Sequence, residues 1–199
     1  MSGKWISVDG CEGCGKTTLV SKLRERYPDF VYIPEFSDSI IGKTLNNAVK
    51  NEPYIISDSI IGASLLFLSD YFQMIETLIV PNIEQGATII SDRGFVTKMA
   101  VQAAVMSEFY ERGQVQKALI ELFRLSIIPN YTIVMDTPLE VVKNRLLTRD
   151  GHYDKEREKF IRATKQEIST CADFFDLKTL KICSDKDAED VVLNFEKYI

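Results

Sequence analysis

The stretch Trp5-Ile6-Ser7-Val8-Asp9-Gly10-Cys11-Glu12-Gly13-Cys14-Gly15-Lys16-Thr17-Thr18 decides the fold. Trp5 to Val8 is a short apolar run of the kind that forms a buried strand, and Thr18 to Arg26 repeats apolar residues at the spacing of an amphipathic helix. Between them, Gly10 to Thr17 fits the pattern GxxxxGK[ST], with the strand and the helix where that pattern requires them. Its glycines let the backbone turn N–H groups inward around a phosphate, and the following helix adds positive potential at the same point. Lys16 can place a point charge on the β and γ oxygens, and the Thr17 hydroxyl can ligand Mg²⁺. Gly10, Cys11, Glu12, Gly13, Cys14, Gly15, Lys16, Thr17 and Thr18 are therefore the expected ATP-binding set. A glycine-rich turn that binds nothing is the competing reading, and the strand, the Lys-Thr pair and the helix together weigh against it. Cys11 and Cys14 mimic a CxxC pair, but no second pair lies nearby to complete a zinc site, so they read as loop filler.

Working outward, further β-branched runs occur at Val31 to Ile33, Ala87 to Ile90, Tyr131 to Met135 and Leu180 to Cys183, separated by helical stretches such as Ile60 to Gln85. That alternation implies the α/β class: a three-layer P-loop NTPase fold, with a five-stranded parallel sheet and helices on both faces. No repeat or linker divides the chain, so residues 1–199 read as one domain. Asp9, Glu35, Asp92 and Asp136 each follow a strand, at the carboxyl ends where such sheets bind ligands. The formal charge of −5 argues against a nucleic-acid polymer as partner. Asp70 and Glu76 interrupt the most apolar stretch, Ile60 to Phe67, before membrane-spanning length, and no transmembrane helix is expected. Four scattered cysteines and an opening without a leader point to the cytoplasm.

A later strand ends in Ser91-Asp92-Arg93, where a carboxylate can join the Mg²⁺ shell and an arginine can stabilise charge on a transferring phosphoryl group. No NKxD sequence is present, which weakens the reading as a GTP-driven switch. The run Asp92-Arg93-Gly94-Phe95-Val96-Thr97-Lys98-Met99-Ala100-Val101-Gln102 resembles the Asp-Arg motif DRxxxSxxAYQ of the thymidylate kinase branch of the nucleoside monophosphate kinases. Asp, Arg and Gln match, and Thr97 replaces serine. The resemblance continues in Leu65-Leu66-Phe67, in Pro34-Glu35 followed by Gly42-Lys43-Thr44-Leu45-Asn46, and in Val134 to Pro138 followed by Glu140, Arg145 and Arg149.

The resemblance implies phosphorylation of a deoxynucleoside monophosphate, dTMP first, by Mg·ATP, in a homodimer whose lid spans roughly residues 145–160. Together with the loop chemistry it leads to expected catalytic roles for Lys16, Arg93, Arg149 and Arg145, metal binding by Thr17 and Asp92, and an acceptor site of Glu12, Glu35, Phe67, Arg93, Thr97 and Gln102, with Tyr71 added as the residue at a position where the family differs. Glu12 is expected on the 3′-hydroxyl of the acceptor sugar. Since position 14 is cysteine where some members carry arginine, the lid is expected to supply the guanidinium, from Arg149 ahead of Arg145. A solvated helix face with ion pairs is the plainer reading of the lid charges, and His152 reads as a surface residue.

Two departures bear on the acceptor. Phe36 and Pro34 flank Glu35 where the family commonly places an arginine near the acceptor phosphate, and Tyr71 stands where an arginine reads the base. Charge-assisted contacts are worth about 1.5 to 3 kcal/mol each, so losing two unreplaced would cost roughly 10² to 10⁴ in discrimination. Arg93 and Lys43 remain available to the phosphate, and Tyr71 either meets a base or simply packs. The runner-up is a deoxynucleoside kinase in which Glu35 takes the proton of a 5′-hydroxyl. A nucleotide-binding module without catalysis is a third reading. Gln102, Gly42 and the lid favour the monophosphate kinase.

Overall fold

The computed structural model describes residues 3–51, 59–183, 192, 195 and 196. Strand β1 (Lys4–Asp9) leads into α1 (Lys16–Arg26), β2 (Val31–Ile33), α2 (Ile40–Asn51), α3 (Ile60–Met74), a π turn (Ile75–Ile79), α4 (Val80–Glu84) and β3 (Thr88–Asp92). After these come α5 (Phe95–Met106), α6 (Arg112–Phe123), β4 (Tyr131–Met135), α7 (Leu139–Asp150), α8 (Lys155–Phe174) and β5 (Thr179–Ile182). The five strands expected from the sequence are present, each within two residues of its predicted limits, and all pair in parallel in the order β2-β3-β1-β4-β5.

Side-chain alternation along the strands gives each face its own core. Trp5, Ile89 and Val134 look toward α3, α5 and α6, with Phe95, Met99 and Phe123 among the fully buried residues there. Ile6, Val8, Ile90 and Ile133 look the other way, toward Leu19 and Leu23 of α1 and Val142 and Leu146 of α7. Helix α8 serves both, with Ile161 in one cluster and Ile168 and Cys171 in the other. Register then fixes the site: Val8 lies beside Asp92, Asp9 beside Val134 and Ile33 beside Ser91, so the segments after β1, β2 and β3 emerge together.

The stretch read as one helix from Ile60 to Gln85 is continuous but not uniform. Pro81 has no N–H and its ring crowds the carbonyl four residues back; the turn before it widens so that the Val80 N–H reaches the Ile75 carbonyl, and the helix continues. One premise of the sequence reading is corrected: Ile60–Glu84 is long and apolar enough to span a bilayer by length and composition, with a mean hydropathy of 1.3 over its most apolar window, a test that a core helix also passes. Asp70 and Glu76 do not shorten it. Leu68, Tyr71, Met74, Ile75 and Ile79 are buried against the sheet, as in the core helix of a globular domain.

Candidate active site

β1 delivers the phosphate loop from the centre of the sheet. Gly10 turns at φ 149°, where an added Cβ would lie 2.6 Å from Cys14 Sγ and 3.0 Å from the Met135 carbonyl, so only glycine fits. Its N–H donates to Thr97 Oγ1 at 2.9 Å, which ties the loop to α5. Lys16 is buried and folds over the loop, donating to the carbonyls of Gly10 at 2.9 Å and Cys11 at 2.6 Å. Cys11 and Cys14 are fully buried and pack under the loop, a larger part than the filler expected of them. A hydrogen bond from Cys11 and the Lys16 charge, against burial, hold the Cys14 thiol below its ordinary value, and the same pairing together with burial pushes Cys11 up. Thr17 and Thr18 are exposed at the start of α1, and the Thr17 hydroxyl donates to Asp92 Oδ2 at 3.2 Å. That hydroxyl and carboxylate are hard oxygen donors of the type Mg²⁺ takes beside water and phosphate oxygens.

Asp9 positions the next element. Its Oδ1 accepts the N–H groups of Gly94 at 3.0 Å and Thr97 at 2.7 Å, and its Oδ2 accepts the Ser7 hydroxyl at 2.7 Å. The approach is so close that a Cβ on Gly94 would sit 2.1 Å from Ser7 Cβ. Arg93, just before, adopts φ 63°, rare for a non-glycine residue, with its N–H on the Val8 carbonyl at 3.0 Å. Its side chain meets Glu35, with Nε 2.7 Å from Oε1. Burial alone would raise the Glu35 pKa, but Arg93, Lys98 and Lys16 outweigh it and keep the carboxylate ionised below its ordinary range. Burial likewise works against the Arg93 charge, and Glu35 and Asp92 prevail.

Lys98 was not among the residues singled out by sequence. It is buried on α5, donates from Nζ to the Glu35 carbonyl at 2.8 Å and stands 4.7 Å from the centre of the Phe36 ring. Burial pushes it down to about 8. The signal available beforehand was a lone charge inside the apolar helix Phe95–Met106.

The other acceptor candidates divide. Phe67 is half-buried with its ring 6.2 Å from that of Phe36, and Gln102 is buried one helical turn after Lys98. Glu35 and Arg93 join them at the strand ends. Tyr71 instead packs in the core, its ring 5.7 Å from Phe72 and 5.9 Å from Phe123. Its hydroxyl has no partner among the described residues, and burial pushes its pKa well up. The packing alternative is thus where the ring stands, and the Thr97 hydroxyl lies behind the loop on Gly10. Lys43 is exposed on α2. Asp70, unnoticed as a positioning group, is buried and accepts the N–H of Ser37 at 3.2 Å and the Ser37 hydroxyl, holding the segment after Glu35 to α3.

Residues 145–160 supply guanidinium groups to the loop from the other side. Arg145 donates to the Cys14 carbonyl at 3.3 Å. Arg149 pairs with Glu12 and with Asp150, each at 2.6 Å. Arg157, only 3% exposed, also binds Glu12 and reaches Asp150 at 2.6 Å. Glu12, expected to face the acceptor sugar, is here held by two lid arginines, which lower its pKa against the effect of burial. Sequence reading passed over Arg157 as a pocket residue. It sits three residues past Asp154, the N-cap of α8, where a cation opposes the helix dipole and so needs nearby carboxylates. His152 is exposed, its ring against the Asp150 carbonyl at 3.1 Å.

Set against known proteins, residues 8–194 match the family described as thymidylate kinase. A thymidylate kinase of Carboxydothermus hydrogenoformans is 32% identical over 167 residues, covering 79% of this chain and 77% of the relative. One of a Thermoanaerobacter species is 29% identical over 182 residues, covering 83% of this chain and 86% of the relative. The solved structure of a thymidylate kinase from Candida albicans aligns with a TM-score of 0.75 at 20% identity, over 98% of this chain and 90% of that one. A thymidylate kinase from Ehrlichia chaffeensis aligns at 0.70 and 16% identity, over 99% and 98%. At those identities the structural likeness speaks for the fold.

Proposed function

The chain belongs to the thymidylate kinase family, and we propose on that premise that it transfers the γ-phosphoryl group of ATP to dTMP in the cleft between the phosphate loop and Glu35. The observation that carries the acceptor reading is Glu35 held ionised by Arg93 at 2.7 Å. A monophosphate already offers an anionic oxygen, so the enzyme needs positioning and charge neutralisation rather than a base. A nucleoside 5′-hydroxyl must lose a proton, and a carboxylate lowered in pKa and committed to a guanidinium is a poor base for it.

In this mechanism the loop N–H groups and Lys16 take the β- and γ-phosphates, Lys16 exchanging the loop carbonyls it now holds for better acceptors. Thr17 and Asp92 would hold Mg²⁺, which neutralises phosphate charge when bound. Arg93 stabilises charge on the phosphoryl group in flight. Arg149, its side chain 56% exposed, is the lid guanidinium free to turn from Glu12 to the phosphates, with Arg145 keeping its place on the loop. That turn opens one acceptor position on Glu12 Oε1 to the acceptor sugar, while Arg157 keeps the carboxylate in place. Residues 1–199 act as one domain with 145–160 as lid, in the cytoplasm, and two chains pair through the exposed apolar side of α3.

A coupled ADP-release assay over a panel of nucleosides and monophosphates tests the reading. Turnover of dTMP with none of thymidine is expected. Turnover of thymidine with none of dTMP would replace it with the nucleoside kinase.

A further inference from the structure

Two cations, Arg93 and Lys98, reach one residue, Glu35, at the carboxyl ends of β2 and β3, and only the first meets its carboxylate. Arg93 takes that carboxylate at 2.7 Å, and the Lys98 ammonium is left with the Glu35 carbonyl at 2.8 Å and the Phe36 ring at 4.7 Å. Among the described residues no carboxylate oxygen lies within ion-pair distance of Lys98 Nζ. The neighbouring acids have other partners: Asp92 accepts from Thr17, and Asp70 from Ser37. A carbonyl and a ring face satisfy two of an ammonium group's three donors, and a buried cation without an anion is costly. Lys98 is nevertheless only 5% exposed. It stands in the first turn of α5, where the helix dipole adds to the positive potential and makes the place still more suited to an anion. The ring beneath it, Phe36, neighbours Phe67, so the surplus charge lies beside the aromatic part of the cleft.

We propose that Lys98 binds the phosphate of the acceptor monophosphate, supplying from α5 the cation that Phe36 does not. The proposal rests on the acceptor being a deoxynucleoside monophosphate. It makes acceptor binding sensitive to pH in a way that an arginine would not, because a lysine can lose its proton within reach of neutrality. Burial pushes Lys98 down to about 8, with Arg93 acting in the same direction and Glu35, Asp70 and Asp92 against it. Below that pH the ammonium is charged and waits for its anion. Above it, binding must first recruit a proton, so affinity for dTMP falls toward about tenfold per pH unit. The second ionisation of a phosphate monoester, near pH 6, is already complete there.

Calorimetric titration of the protein, Lys98→Met and Lys98→Arg with dTMP, thymidine and ATP, from roughly pH 6.5 to 9.5, tests this. For Lys98→Met the dTMP affinity at neutral pH should drop about 10- to 100-fold, with thymidine and ATP changed by less than about threefold. The alkaline loss of dTMP affinity should vanish in Lys98→Met, and in Lys98→Arg if that larger group is accommodated. Equal weakening of dTMP and thymidine would assign Lys98 to propping the Glu35 segment and overturn the proposal. So would unchanged dTMP binding, or a loss that falls on ATP instead. A parent protein that binds thymidine and not dTMP at any pH would overturn the acceptor reading, and the proposal with it.

Discussion

Arg93 is held in an uncommon backbone conformation because everything around it is fixed: Gly94 packs on Ser7, its own N–H bonds to Val8, and its guanidinium meets Glu35. Strain of this kind, of order 1 to 3 kcal/mol, persists where surrounding contacts over-determine it. Arg93→Ala is expected to lower kcat by roughly 10³, since the charge it places on the transferring group is not duplicated by Lys98; steady-state turnover of dTMP checks this, and a loss confined to KM would contradict it. Lys98 gives a stability prediction of opposite sign to its binding role. Its folded pKa of about 8 lies below the unfolded value of about 10.4, so the unfolded chain binds more protons between the two and stability rises with pH across that window. Below it the buried charge costs on the order of 3 kcal/mol. Lys98→Met should therefore melt higher than the parent at neutral pH, the difference shrinking toward pH 10 or so. The phosphate loop was legible in the sequence because its parts are contiguous, and Asp92 and Arg93 because they form a motif. Lys98 and Arg157 were not, because their meaning comes from burial against segments 63 and 145 residues away.

At the scale of elements, the end of α7 and the start of α8 clasp the loop through Glu12, Asp150, Arg149 and Arg157. The two arginines are unlike in exposure, at 56% and 3% of the side chain, and that separates their expected roles. Arg149→Ala should lower kcat by about 10² or more with little change in melting temperature. Arg157→Ala should destabilise by several kcal/mol, because it leaves Glu12 and Asp150 without their buried partner. Equal effects of the two variants on both quantities would remove the distinction. The clasp also depends on acid pH. Glu12 and Asp150 have pKa values lowered by their arginine partners, so the stabilisation is present above their unfolded values, near 4, and is lost as pH falls through the folded ones. Hydrogen-exchange protection of residues 145–160, relative to the intrinsic rate at each pH, should fall on acidification below about pH 4 before protection in β1 does. The family resemblance placed a helix and the start of a lid after Asp136, and the charges on that lid. It could not say which arginine would be buried, since Ile161, one turn later, is what draws the start of α8 into the core.

For the whole molecule, the alternation of strands and helices carried the parallel sheet and its two covered faces, while the order β2-β3-β1-β4-β5 rests on pairings between distant segments that periodicity does not encode. The same limit applies to the outer face of α3. Its inner residues, Leu68, Tyr71 and Met74, are 2% exposed, yet Ile61, Leu65 and Leu66 are 42%, 53% and 42% exposed along the opposite side. Period marked the helix as amphipathic and could not separate an apolar face that packs in the core from one that meets a partner. A single chain covers one side of it. At about 1.5 Å per residue the helix is long enough to centre an interface of the standard size, about 800 Å² per partner. A symmetric pairing would place α3 against its own copy and bury the apolar edge without any other segment. Light scattering should then give about twice the chain mass of 22.6 kDa, and Leu65→Glu, which puts a charge at the most exposed of these positions, should return the monomer. Leu65 points away from the sheet, so the variant should keep the parent's helical circular dichroism while losing the dimer. A parent that runs as a monomer at micromolar concentration would leave α3 facing solvent and would defeat the pairing.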